Sequence, residues 1–281
     1  MKTASNHIQL DFVGAAQRIK KVVHKTPLQL NRSLSKKYHC KVYLKREDLQ
    51  VVRSYKIRGA YNMMSSLSAE ELQNGVVCAS AGNHAQGFAY SCRKLNVKGV
   101  VFMPVITPNQ KINQTKMFGE DFIEVKLVGD TFDDCAFAAK KYTEENGMTF
   151  IPPFDDLRII EGQGTVGVEI LEELPEIDYL FVPVGGGGLS AGVGSYFKTY
   201  SPKTKIVGLE PEGAPSMYEA LKAGHPVTVE NIDRFVDGAA VKRAGDLTFA
   251  LAWAIITEAS IGFLGFGDPA AITWGSILYD A

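Results

Sequence analysis

A run of four glycines at positions 185–188 is the feature around which this chain is organised. It follows an apolar segment at 179–184, which predicts a buried strand, and precedes a helix predicted over 189–200. Glycines let several backbone N–H groups approach one point, and such a nest at a helix N-terminus binds phosphate. A flexible loop is the alternative, but the run lies between a strand and a helix rather than among polar residues.

A second polar turn lies at residues 80–87, Ser-Ala-Gly-Asn-His-Ala-Gln-Gly. It follows a predicted strand at 76–79 and precedes a helix that ends near Leu95. The same physics makes it an anion site, to which Ser80 and Asn83 add side-chain donors. The alternative is an ordinary helix N-cap by Ser80 or Asn83. We interpret His84 as a helix-start residue rather than a catalyst.

Lys56 stands in the first turn of a helix whose apolar face is marked by Ile57, Ala60, Met64 and Leu67. The positive end of the helix dipole disfavours the ammonium there, so the amine's pKa should fall. An amine of this kind suits a Schiff base. A solvated surface lysine is the alternative, and spacing alone leaves both interpretations open.

The glycine run also fits a nicotinamide enzyme. Gly186-x-Gly188-x-x-Ala191 matches the dinucleotide-binding pattern, and Glu210 closes the next apparent strand, roughly where that pattern needs an acidic residue. On this stretch alone, the interpretation of the glycine run as a nicotinamide-binding loop stays open.

Strands and helices alternate along the chain, which predicts an α/β fold with mainly parallel sheets. Ligands bind at the carboxyl ends of strands in such sheets, so a cleft between two lobes is the expected site. Residues 75–150 form a compact unit of their own. The predicted strands are 41–45, 76–79, 99–103, 122–128, 148–151, 179–184 and 205–210. The predicted helices include 12–23, 108–118, 131–146, 161–173, 189–200 and 214–221.

Composition narrows the class of protein. The chain has 281 residues and a net charge of −1, which gives no electrostatic case for nucleic acid or an anionic membrane. Residues 1–10 show no signal-peptide pattern. The four cysteines are widely separated and form no Cys-x-x-Cys, so we expect buried thiols in a reducing compartment. We therefore expect a soluble cytoplasmic protein.

Four motifs in this order resemble the fold-type II pyridoxal-phosphate enzymes. They are Leu-Lys-Arg-Glu-Asp-Leu at 44–49, Ser-Tyr-Lys-Ile-Arg-Gly-Ala at 54–60, the turn at 80–87 and Gly-Gly-Gly-Gly-Leu at 185–189. The resemblance is strongest to the biosynthetic threonine dehydratases and runs from about Phe12 to about Phe249. It implies a two-lobed fold similar to the tryptophan synthase β subunit. The large lobe would comprise 1–74 and 151–249, and the small lobe 75–150.

The resemblance also implies roles for individual residues. Lys56 would hold pyridoxal 5′-phosphate as a Schiff base and shuttle the Cα proton of the substrate. Asn83 would hydrogen-bond the cofactor's 3′ oxygen. The cofactor phosphate would be bound by the backbone of Gly185, Gly186, Gly187, Gly188 and Leu189. The substrate carboxylate would be bound by the turn made of Ser80, Ala81, Gly82, Asn83 and His84. Hydride transfer needs neither the amine nor the second anion site, so the nicotinamide interpretation is set aside.

The implied reaction is the deamination of threonine, and more slowly of serine, to 2-oxobutanoate (or pyruvate) and ammonia, the first step of isoleucine biosynthesis. Serine racemases and serine dehydratases are the alternative relatives. Racemases carry a second serine where Ala81 stands, so its absence favours elimination. Racemases also bind a metal through a glutamate, a backbone carbonyl and an aspartate. In this chain Glu210 and Ala214 match the first two ligands, but Ser216 stands where the aspartate would be. We therefore expect no metal site. Cysteine synthases lack the His-Ala-Gln-Gly continuation found at 84–87, so β-replacement is less favoured.

Residues 250–281 depart from the pattern and resemble a cytoplasmic loop of dipeptide-type transporter permeases. Family members continue with more catalytic domain and, in biosynthetic forms, an isoleucine-binding domain. We expect neither of these parts here. The chain is therefore expected to be C-terminally truncated, weakly active or inactive, and not inhibited by isoleucine. The apolar stretch 247–266 is about long enough to span a bilayer, but Glu258 makes spanning costly. We expect no membrane association, a small amino-acid substrate and, if the chain folds, a dimer or tetramer.

Overall fold

The computed structural model describes residues 9–233 and 235–263, the last seven of these by their backbone alone. Residues 1–8, which include most of the stretch without a signal-peptide pattern, and residues 264–281 of the predicted tail lie outside the described part. The strands are β1 (Leu28–Leu30), β2 (Tyr43–Lys45), β3 (Val76–Ala79), β4 (Gly99–Met103), β5 (Ile123–Leu127), β6 (Thr149–Phe150), β7 (Tyr179–Pro183) and β8 (Lys205–Leu209). The helices are α1 (Phe12–Ile19), α2 (Arg32–Tyr38), α3 (Lys56–Ser66), α4 (Ala69–Leu72), α5 (Asn83–Leu95), α6 (Asn109–Gly119), α7 (Phe132–Asn146), α8 (Leu157–Glu173), α9 (Gly188–Tyr200), α10 (Ser216–Ala223) and α11 (Asp246–Phe263). Short 3-10 turns lie at Glu47–Leu49 and Glu120–Phe122.

A four-stranded parallel sheet in the order β5-β4-β3-β6 lies at the centre of one part of the molecule. Every residue of β3 and β4 is buried, as expected for strands covered by helices on both faces. On one face Cys78 and Val101 pack with Phe88 of α5, and on the other Val77 and Val100 pack near α7. The prediction of a mainly parallel α/β fold is confirmed.

Two smaller sheets complete the strand pairing of the described residues. β7 and β8 pair in parallel across the crossover helix α9, and β1 and β2 pair antiparallel. The four-stranded sheet is built from residues 76–150, inside the range predicted for the small lobe. The lobe boundaries themselves stay a prediction.

Helix α8 runs through the middle of the other part and packs against both α3 and α9. Glycines allow these close contacts. A Cβ on Gly162 would lie 2.5 Å from the carbonyl oxygen of Arg58 in α3, and a Cβ on Gly192 would overlap the carbonyl oxygen of Ile160. The start of α3, which carries Lys56, is therefore held directly against α8.

A buried ion network fixes the same end of α3. The guanidinium of Arg58 is fully buried and donates to the carboxylates of both Glu47 and Glu169, at 2.7–2.9 Å. Lys45 of β2 adds a third bond to Glu169, at 2.6 Å, beside the two from Arg58. Two residues beyond Lys56, the chain is thus tied to β2, the 3-10 turn at Glu47–Leu49 and α8.

Several element boundaries differ from the predictions. Helix α8 begins at Leu157 rather than at residue 161, because the Asp156 side chain accepts the Arg158 N–H and caps it there. Helix α1 ends at Ile19, short of residue 23. Strand β1, helix α2 and helix α11 were not predicted; β1 is three residues long and α2 has no buried residue, so neither has a hydrophobic period to detect.

The ends of the chain and its thiols complete the description. Residues 250–263 of the predicted tail continue helix α11. In the part of the chain described here, no helix has the length and apolar character needed to cross a membrane. Cys78, Cys92 and Cys135 are buried free thiols, as predicted, whereas Cys40 is a free thiol that is exposed, so the prediction of burial is wrong for Cys40.

Candidate active site

The three stretches singled out in the sequence line one cavity of about 610 Å³. Lys56 opens α3, the turn at 80–84 joins β3 to α5, and the glycine run joins β7 to α9. Both turns follow the carboxyl ends of parallel strands, where α/β folds place their ligands. Every residue predicted to bind cofactor or substrate lies on the wall of this cavity.

Lys56 is half-buried, and its amine lies at the cavity wall. Its Nζ donates a hydrogen bond of 2.8 Å to the backbone carbonyl of Pro153, and it lies 5.6 Å and 5.9 Å from the ring centres of Tyr55 and Phe154. Burial lowers the pKa of Lys56 to about 8, because the charged form loses its hydration. The interpretation of Lys56 as a solvated surface lysine is therefore wrong. Burial, rather than the helix dipole, is the main cause of its lowered pKa.

The glycine run forms a cradle that side chains would fill. A Cβ on Gly186 would overlap the ring of Phe154, and a Cβ on Gly188 would lie 2.9 Å from the Cβ of Phe154. Gly187 has φ 95° and is the N-cap of α9, with no side chain capping the helix. The first N–H groups of α9 are thus left for a ligand, as the phosphate-binding interpretation requires.

The turn before α5 presents a second open helix start. Its N-cap is Gly82, with no side-chain capping bond, and Asn83 is the first helical residue. Ser80 Oγ accepts the N–H of Gly82 at 3.2 Å and makes no cap to α5. The alternative of an N-cap by Ser80 or Asn83 is wrong. A Cβ on Gly82 would meet no atom within 4 Å, so the space beside this turn is open.

His84 is buried behind that turn. Its Nε2 lies 3.0 Å from the carbonyl oxygen of Ile151, which can only accept, so Nε2 carries a proton. Burial, and secondarily the charge of nearby Lys56, lowers the pKa of His84 to about 3. The imidazole is therefore neutral at physiological pH and joins α5 to the end of β6, consistent with a helix-start residue.

A family model matches residues 19–280, and its description is pyridoxal-phosphate dependent enzyme. The chain belongs to this family. The match includes residues 250–280 of the predicted tail, so the separate origin of that tail stays a prediction. The cofactor of the family is pyridoxal phosphate.

Individual relatives within the pyridoxal-phosphate family are similar over most of the chain. The L-threonine dehydratase biosynthetic IlvA of Halalkalibacterium halodurans is 56% identical over 249 residues, which cover 88% of this chain and 60% of that protein. The chain therefore spans about 60% of the length of this relative.

Two solved structures have the same fold. The processed form of threonine deaminase isoform 2 from Solanum lycopersicum superposes with a TM-score of 0.82 at 48% identity, covering 86% of this chain and 70% of that one. Maize serine racemase superposes with a TM-score of 0.82 at 30% identity, covering 90% and 79%. The two-lobed fold-type II architecture expected from the motifs is thereby confirmed.

The cavity fits the family's cofactor. A phosphate needs a backbone cradle free of side chains, which the glycine run and the uncapped start of α9 provide. An aldehyde needs an amine that loses its proton near neutral pH, which Lys56 provides. Asn83 lies on the same wall, where the resemblance places it beside the cofactor's 3′ oxygen.

Sequence reasoning missed three contributors to the site. Pro153 supplies the carbonyl that holds the Lys56 amine, Phe154 packs against the glycine run, and Thr248 donates to the carbonyl of Gly186 at 2.6 Å. The first two follow the predicted strand at 148–151, in a segment that belongs to none of the four motifs. Thr248 lies 62 residues from its partner, and no motif links the two.

Glu210, part of the racemase metal pattern, has another role here. Its carboxylate accepts the N–H groups of Met217 and Tyr218 at 2.8 Å and 2.9 Å, at the start of α10. Both carboxylate oxygens are thus used by the helix. No group of three or more potential metal-ligating side chains converges within the described ranges.

Proposed function

We propose that this chain uses pyridoxal phosphate to deaminate threonine, and more slowly serine, by eliminating the Cβ hydroxyl as water and then hydrolysing the resulting enamine. The products are 2-oxobutanoate, or pyruvate, and ammonia. The observation that carries the proposal is the meeting, in one cavity, of a half-buried amine with a pKa of about 8 and two uncapped helix starts. The threonine dehydratase and threonine deaminase names of the similar proteins support the choice of substrate.

The two helix starts have different tasks in this proposal. The N–H groups of residues 185–189 bind the phosphate of the cofactor, since the positive end of α9 favours the anion. The turn at 80–84 binds the substrate carboxylate through its backbone N–H groups and the side chains of Ser80 and Asn83. Its N-cap, Gly82, leaves open space for that carboxylate.

When bound, pyridoxal phosphate supplies an electron sink for the pair of electrons left on the substrate Cα. The residues of the chain must then move one proton. Lys56 Nζ accepts the Cα proton in its neutral form, which a pKa of about 8 makes accessible at neutral pH. The Cβ hydroxyl leaves as water with a proton drawn from solvent, and the resulting enamine takes up one water and releases ammonia.

Elimination rather than racemisation is favoured by the residue at position 81. Racemisation needs a second acid that returns a proton to the opposite face of Cα, and Ala81 on the cavity wall offers only a methyl group. His84 cannot substitute for that acid, because its imidazole is neutral and bound to the carbonyl of Ile151.

We also propose that the chain works in the cytoplasm as a homo-oligomer. The outward face of the β7–β8 sheet carries Tyr179, Phe181 and Leu209, each more than half exposed. Such an apolar face supports burial against another surface, and light scattering on the purified chain measures the resulting mass.

The test is an assay of the purified 281-residue chain with cofactor and L-threonine. We expect 2-oxobutanoate and ammonia in equal amounts, and a slower release of pyruvate from L-serine. A chain that binds the cofactor yet forms no keto acid would contradict the proposed reaction while leaving the cofactor site intact.

A further inference from the structure

Thr248, at the start of α11, holds the glycine run from the side away from the cavity. Its hydroxyl is fully buried and donates to the carbonyl of Gly186 at 2.6 Å. The N–H of Gly245 donates to the same carbonyl at 3.3 Å. Thr248 also occupies the space beside Gly187, where a Cβ would lie 2.7 Å from the Thr248 Cβ. Both the carbonyl and the neighbouring residue are thus fixed by one side chain.

Asp155 anchors the helix end that carries Thr248. Its carboxylate accepts the N–H groups of Asp246, Leu247 and Thr248 at 3.0, 2.9 and 3.2 Å. This is the arrangement of a helix N-cap supplied by a distant segment, and a carboxylate there is stabilised by the helix dipole. Asp155 follows Phe154 directly, so the segment that packs on the glycine run also fixes α11.

The geometry of the peptide bond makes this contact relevant to the cavity. The carbonyl of Gly186 and the N–H of Gly187 belong to one planar trans peptide and point in opposite directions. Thr248 and Gly245 fix the carbonyl from outside the cavity wall, since neither residue lines the cavity. The N–H of Gly187 is therefore turned away from α11.

We propose that Thr248 is a positioning residue for the phosphate-binding loop. It orients the Gly186–Gly187 peptide so that an N–H faces the phosphate of the cofactor, and Asp155 supports it by capping α11. This inference rests on the proposed function, because it takes the glycine run as the phosphate site. It assigns a role to α11, which none of the sequence motifs includes.

The test compares two ligands that differ only in the phosphate. The full chain, freed of cofactor, is titrated with pyridoxal 5′-phosphate and with pyridoxal, and the two dissociation constants are measured for wild type, Thr248→Val and Thr248→Ser. Valine keeps the shape of threonine but cannot donate. We expect Thr248→Val to weaken pyridoxal 5′-phosphate binding about tenfold, the loss of roughly one hydrogen bond, and pyridoxal binding less than twofold. Thr248→Ser should retain the wild-type preference for the phosphate.

Other outcomes overturn the inference in distinguishable ways. An equal loss for both ligands in Thr248→Val would show a general packing role. An unchanged phosphate preference would show that the loop keeps its orientation without Thr248. A wild type that binds both ligands equally would overturn the phosphate site itself, and the proposed function with it. If Thr248→Val does not fold, Asp155→Asn tests the same contact between α11 and the glycine run. We expect the affinity for pyridoxal 5′-phosphate to fall severalfold and the affinity for pyridoxal to stay unchanged. Equal effects on both ligands would again contradict the inference.

Discussion

Lys56 Nζ donates a 2.8 Å hydrogen bond to the backbone carbonyl of Pro153, and this bond places the amine in the cavity. The next two residues complete the arrangement, because Phe154 packs on the glycine run and Asp155 caps α11. Three consecutive residues therefore contact the amine, the phosphate-binding loop and the helix behind that loop.

The first prediction concerns the pH dependence of cofactor attachment. Only the neutral amine attacks an aldehyde, and burial lowers the pKa of Lys56 to about 8 from an ordinary value of 10.5. The rate of cofactor uptake by the cofactor-free chain should therefore rise with pH and level off above about 8. Stopped-flow absorbance measures this rate, and Nα-acetyl-lysine, with an ordinary amine, is the control. A rate that still climbs through pH 10 would contradict the burial of the amine.

The second prediction concerns the cradle. Gly186→Ala places a methyl group against the ring of Phe154, and overpacking of this kind costs about 1–3 kcal/mol. Affinity for pyridoxal phosphate should fall about tenfold or more, as measured by equilibrium titration. Gly208→Ala is the matched control, because residue 208 does not line the cavity and its Cβ would meet only Val184 Cγ2, at 3.2 Å. Equal affinities for the two variants would show that Phe154 does not shape the loop.

The sequence predicts the residues that line the site better than the residues that hold them in place. Lys56 and the turns at 80–87 and 185–189 are recognisable because strand-glycine-helix patterns are local, and the fold brings them to one cavity. The contacts from Pro153 and Thr248 join residues 97 and 62 positions apart and depend on how α8, α9 and α11 pack. No periodicity encodes such contacts. The dipole argument for Lys56 gave the right direction of the pKa shift, but burial is the cause, and burial is a property of the fold.

The third prediction concerns the buried ion network behind Lys56. Arg58→Met removes the cation that neutralises Glu47 and Glu169, leaving carboxylates with incomplete partners in the interior. We expect the free energy of unfolding, measured in urea, to fall by about 3–5 kcal/mol. Lys25→Met breaks an exposed pair with Glu172 and should cost at most about 1 kcal/mol. Similar losses for the two variants would mean that the Arg58 network contributes no more than a surface pair.

The fourth prediction concerns the outcome of the reaction. Ala81→Ser introduces a hydroxyl on the cavity wall, where the resemblance places the acid of racemases. The rate at which L-serine is converted to D-serine should rise about 100-fold, a gain typical of a positioned acid. Chiral chromatography measures this rate. Ala81→Gly, which changes the volume without adding a hydroxyl, should show no rise. Equal D-serine formation by both variants would show that position 81 does not supply the proton.

The central claim is that Lys56 binds pyridoxal phosphate covalently in the cavity between the two turns. Borohydride reduction of the cofactor-loaded chain, followed by proteolysis and mass spectrometry, tests it most directly. The account predicts one phosphopyridoxyl group per chain, on the peptide that contains Lys56, and none in Lys56→Ala. A label on another lysine, or an unchanged label in Lys56→Ala, would contradict it.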